Sequence, residues 1–148
     1  MKMDKPDRVD RMEGVNEVNE KEDNIINAAI EEVKRLLKIK LERILAGYDL
    51  GEFLDESYCV HVDEEGISKI ILGIVKEKGT YIVAGIYVDE EGKIVDRKPL
   101  EKVKLRYLLA IINDVLPSFT SKIEEIKKVN SQRLLVDLKK AIDTLEKM

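Results

Sequence analysis

The chain has 148 residues, 44% hydrophobic and 38% charged, with a formal net charge of −4. That length suits one globular domain. One cysteine excludes an internal disulfide framework and a four-cysteine zinc site, and the longest uncharged stretch, Gly79 to Val88, is half a membrane span.

Residues 1–23 read as a charged, flexible arm ahead of a single α+β domain over 24–148. They hold eight acids and five bases with sparse valines, and Val15-Asn16-Glu17 repeats as Val18-Asn19-Glu20. Apolar spacing of three drifts around a helix and builds no sustained stripe.

A long amphipathic helix is expected over 24–47. Asn24 is a good N-cap, and Gly47 suits the left-handed position past the end. Ile26, Ile30, Val33, Leu37, Leu41 and Ile44 recur at helical spacing. Tyr48 to Ser57 reads as a loop or short helical turn.

The period then changes. Tyr58–Val62, Lys69–Lys76, Tyr81–Val88 and Lys93–Arg97 predict four strands, joined by short loops containing Gly66, Gly79 and Gly92, the pattern of an antiparallel meander. A turn at Lys78-Gly79 sets Leu72 opposite Gly85 and Gly73 opposite Ala84. Both faces there lack side-chain volume, which close packing or a small ligand near His61 would fill.

Pro99 fits the start of a helix carrying Leu100, Val103, Tyr107, Leu108, Ile111, Ile112 and Val115, and Pro117 its end. Ser121 and Glu124 form a possible capping box for a last helix with Ile123, Ile126, Leu134, Leu138, Ala141, Ile142 and Leu145. At Asn130-Ser131 that helix either breaks or places a register-setting polar residue in a seam. The expected fold is α+β: a long N-terminal helix, a four-stranded antiparallel meander sheet, and two or three C-terminal helices packed on it.

Three constellations carry chemistry in principle. The loops Asp63-Glu64-Glu65-Gly66 and Asp89-Glu90-Glu91-Gly92 gather carboxylates on one rim, where a divalent cation or a basic partner is conceivable, although acidic turns need neither. Cys59, His61 and Asp63 alternate along a strand, yet no second histidine or cysteine completes a site, so a structural role is expected. Lys93, Arg97, Lys98, Lys102, Lys104 and Arg106 form a basic stretch that would track phosphates, with only Tyr107 near as a stacking ring.

No phosphate-binding glycine loop, nucleophile elbow or metal-spaced histidine pair occurs in the sequence. No cofactor and no catalytic residue are assigned. The charged start has no apolar core of a signal peptide, so a cytoplasmic protein without membrane contact is expected. Nineteen Lys, 18 Glu and 17 Ile against a single Gln match the composition of heat-loving microbes.

The expected function is non-catalytic protein–protein interaction or assembly. Self-association, twofold in its commonest form, would run through Leu134, Leu138, Ile142 and Leu145. A nucleic-acid accessory role through the basic stretch is the alternative.

Overall fold

The computed structural model describes residues 13–47 and 50–148, with side chains from Asn19 onward. Residues 1–12 of the expected arm lie outside the described residues. The chain divides into two compact units, Met1–Ile39 and Lys40–Met148.

Helix α1 spans Glu13–Leu45, so the expected start at Asn24 is corrected by eleven residues. An N-cap signal is no barrier when helix already exists on its C-terminal side. Propagation fixes one residue per hydrogen bond and needs no buried stripe. Within the first unit Ile25, Ile26, Leu36 and Ile39 are exposed, and Arg35 forks onto Glu32 with two 2.8 Å hydrogen bonds.

The second unit begins with the last turn of α1, where Leu41 and Ile44 are buried. Gly47 lies past the helix with φ +129°, the left-handed backbone expected of it. Four strands follow, β1 (Phe53–Glu64), β2 (Ile67–Glu77), β3 (Thr80–Val88) and β4 (Ile94–Pro99), in the antiparallel order β1-β2-β3-β4. After β4 come a 3-10 turn (Leu100–Lys102), α2 (Leu105–Asp114) and α3 (Leu116–Glu146). The α+β class and the meander are as the sequence predicts.

Register is set by the turn between β2 and β3. Lys78 and Gly79 both have positive φ, +51° and +82°, the type I′ geometry whose twist matches the flanking strands. Leu72 then pairs with Gly85 and Gly73 with Ala84, as the two-residue turn requires.

The two sheet faces have separate cores. Ile71, Val75, Ala84, Ile86 and Val88 cluster on one face, with Cys59 and Ile82 packed against them. The other face carries Ile70, Leu72, Ile74 and Val83 and receives the C-terminal elements. Phe119 of α3 meets Phe53 and Tyr58 edge-on at 5.8 and 5.7 Å. Over Gly85 the approach is closer still: a Cβ placed there would lie 2.8 Å from Val103 Cγ2. The gap beside Leu72 and Gly85 is therefore filled by Val103, not left for a ligand.

Four local expectations are corrected. Phe53 to Ser57 belongs to β1, not to a loop. Between Leu54↔Gly73 and Cys59↔Ile71, four β1 residues oppose Leu72 alone, and this bulge hides the strand period. Asp55 Oδ1 holds the bulge by accepting from the Ser57 N–H (2.9 Å) and Ser57 Oγ (2.8 Å). Pro99 closes β4 rather than opening α2, and Pro117 lies in the first turn of α3 rather than ending α2. A proline that stops one helix and one that starts the next leave the same mark in a sequence. Ser121 and Glu124 consequently sit inside α3, and α3 runs unbroken through Asn130 and Ser131.

Candidate self-association surface and basic stretch

Helix α3 is 31 residues long, about 46 Å at 1.5 Å per residue. In its first half Leu116, Phe119 and Ile123 are buried in the core; Ile126, Lys127, Asn130 and Leu134 are half-buried. Advancing 100° per residue, Leu116, Phe119, Ile123, Lys127, Asn130 and Leu134 share an arc of about 80°. Leu138, Ala141 and Leu145 continue that same arc. The core-facing stripe thus runs on past the core. Leu135 and Ile142 widen it on one flank. Leu135, Leu138, Ile142 and Leu145 are 53%, 52%, 57% and 68% exposed. The sequence-predicted residues Leu134, Leu138, Ile142 and Leu145 therefore lie together on one side of one helix, Leu134 at the edge of the core and the other three in the open. Beside this ridge is a shallow groove of about 440 Å³ lined by Asp137, Lys140, Ala141, Thr144 and Leu145.

The docked half is tied down by a contact with no sequence signature. Lys127 Nζ donates to the Arg43 carbonyl at 2.8 Å, at the C-terminal end of α1, where a cation is favoured. Its methylenes pass 3.6 Å from where a Gly47 Cβ would be. Burial pushes the Lys127 ammonium below its ordinary pKa, with Glu124 opposing.

The sheet edges are blunted by contrast. On the edge strand β4 the Arg97 N–H donates to Asp96 Oδ1 (2.8 Å), and the strand carries Asp96, Arg97 and Lys98 before ending in Pro99. The Lys76 N–H, on β2 where β1 gives out, is taken by Glu52 Oε2 at 3.0 Å. Charges, prolines and satisfied donors of this kind discourage strand pairing with another chain.

The six basic positions spread over several elements. Lys93 follows the β3–β4 turn, with its N–H on Asp89 Oδ1; Arg97 and Lys98 are on β4, Lys102 in the 3-10 turn, Lys104 before α2 and Arg106 within it. Arg97 pairs with Ile86 and Lys98 with Gly85, so their side chains leave opposite faces of the sheet. On the helix-bearing side Lys98 Nζ sits 5.3 Å over the Tyr87 ring. Arg106 stacks 4.7 Å over the Tyr107 ring and donates to its hydroxyl. That hydrogen bond, with Glu64 and Asp63 nearby, raises the Arg106 pKa. Lys104 Nζ lies 3.8 Å from Glu64. Burial raises the Tyr87 phenol, helped by Asp96 and Glu64. Three of the six cations thus share their surroundings with carboxylates of the first acidic loop and β4.

In the second acidic loop Asp89 Oδ1 accepts from the N–H groups of Glu91 and Lys93 at 2.9 Å each, so its carboxylate folds the turn. On β1 Cys59 packs half-buried against the Ile71 cluster while His61 is exposed beside Lys69. A second bulge, between His61 and Glu64, ends the alternation before Asp63. Among the described residues no three His, Cys, Asp or Glu side chains gather in a group able to hold a metal ion. Nor is any helix among them long and apolar enough to cross a membrane. No protein-family model, curated protein or solved structure matches the chain.

Proposed function

We propose that this protein is a non-catalytic interaction or assembly module, cytoplasmic and from a thermophilic microbe, that pairs with a second copy of itself through the C-terminal half of α3. The observation that carries the reading is the group Leu135, Leu138, Ile142 and Leu145, each more than half exposed: Leu138 and Leu145 continue the buried core stripe, and Leu135 and Ile142 widen it on one flank. Completing the burial of each such side chain contributes about 1 kcal/mol. The blunted sheet edges favour the helix over strand addition as the contact. The thermophilic assignment rests on the Lys- and Glu-rich composition.

The nucleic-acid alternative is the weaker reading. Its cations leave opposite sheet faces or sit beside Glu64 and Asp63. A phosphate-tracking surface wants them on one side and unneutralised.

Light scattering over a wide concentration range tests the proposal. The wild type is expected to approach twice the monomer mass, and Leu134→Glu with Leu138→Glu to stay a folded monomer. A monomeric wild type at every concentration overturns the reading.

A further inference from the structure

Given the self-association reading above, on which this rests, we infer that the two copies of α3 pair antiparallel, with the twofold axis between Leu138 and Ala141. In heptad terms the seam is Leu134, Leu138, Ala141 and Leu145, alternating steps of four and three, which keeps one face turned to a partner helix. One flank of that seam is apolar, Leu135 and Ile142. The other is polar, Asn130, Asp137 and Thr144. In a parallel pair each flank faces the opposite kind of flank on the partner, so Asp137 would lie against the partner's Ile142. That sets a carboxylate on an apolar side chain. In an antiparallel pair like flanks meet: Leu135 faces the partner's Ile142, and Asp137 faces the partner's Thr144 and Lys140.

The shape of the helix fits the same arrangement. About an axis between 138 and 141, Leu138 of one copy stands opposite Ala141 of the other, and Leu134 opposite Leu145. Ala141 lines the groove whose other walls are Asp137, Lys140, Thr144 and Leu145. A leucine from the partner enters where the alanine leaves space, twice by symmetry, so large meets small in both layers. Thr144 does not compete for the partner, since its Oγ1 donates to the Lys140 carbonyl of its own helix at 2.9 Å. Asp137 of each copy lies within one helical turn of the partner's Lys140, a reciprocal pair of opposite charges. At the exposed ends Arg133 faces the partner's Lys147, which is already bridged to Asp143 at 3.0 Å.

Distances between spin labels decide the orientation. Single cysteines at Gln132, Lys139 and Glu146, exposed positions one heptad apart on the far side of α3 from the seam, are introduced in the full chain with Cys59→Ala. Antiparallel pairing about this axis predicts the shortest separation at 139. At 132 and 146 it adds an offset of about 20 Å along the helix axis. Equal separations at all three positions mean a parallel pair and overturn this inference while leaving self-association intact. No dipolar coupling at any position, with a monomeric mass, overturns both.

A charge swap gives a second readout. Asp137→Lys and Lys140→Asp should each weaken the dimer about three- to tenfold, and together restore it. Two single variants without effect, or a double variant weaker than either, contradict the pairing.

Discussion

The two halves of α3 share one stripe and meet different fates. From Leu116 to Ile123 the stripe is buried against Phe53, Tyr58 and the sheet, and Lys127 fastens the helix to the end of α1. From Leu135 to Leu145 the same face carries leucines that are more than half exposed. The lesson is that helical periodicity reports what a face is suited to bury, and not what buries it. The first half is satisfied within its own unit; the second is left exposed, and the proposed partner for it is a copy of the chain.

Mutations in the two halves should therefore separate stability from association. Phe119→Ala removes a fully buried ring with two edge-on aromatic partners and is expected to cost about 3–5 kcal/mol in denaturant titration. A loss under 1 kcal/mol would mean that the docked half is not part of the core. Gly85→Ala drives a methyl into Val103 and should cost about 1–3 kcal/mol, with Val103→Ala recovering part of it. Lys127→Met keeps the packing stem but removes the ammonium from the Arg43 carbonyl, which retains only the longer bond from the Ala46 N–H at 3.3 Å, a loss of about 1 kcal/mol or less. In the second half, Leu145→Ala should change monomer unfolding by less than about 0.5 kcal/mol while lowering the mass seen by light scattering. A stability loss as large as that of Phe119→Ala would erase the contrast.

The smallest effect expected is at the bulge that orients Tyr58 toward Phe119. Ser57 donates to Asp55 from its N–H and its hydroxyl, and these bonds hold the Asp55 pKa below its ordinary value. A carboxylate depressed in the folded state contributes stability that is full above its unfolded pKa and is lost as pH falls through the folded one. Melting temperatures followed from pH 6 down to pH 2 should fall slightly less for Asp55→Asn than for the wild type.

What the sequence made legible follows from how local each cause is. The Leu72–Gly85 register was readable because a two-residue turn at Lys78-Gly79 leaves a single pairing. The start of β1 was not, because the bulge at Asp55–Tyr58 breaks its alternation and its residues are charged. The roles of prolines 99 and 117 are not legible in the sequence, because each depends on which neighbour is helical. At the candidate surface, the spacing of Leu134, Leu138, Ile142 and Leu145 was visible in the sequence. Their exposure was not, since it depends on where the sheet stops beneath α3. The basic stretch looked continuous in one dimension. Strand alternation sends Arg97 and Lys98 to opposite faces, and the approach of Lys104 to Glu64 is a contact between distant segments.

Amide hydrogen exchange across α3 at low and high protein concentration tests the central claim most directly, because it compares the two halves within one sample. Protection over residues 116–127 should be high and unchanged by concentration, while protection over 134–146 should rise as concentration increases. Protection over 134–146 that is independent of concentration would contradict it.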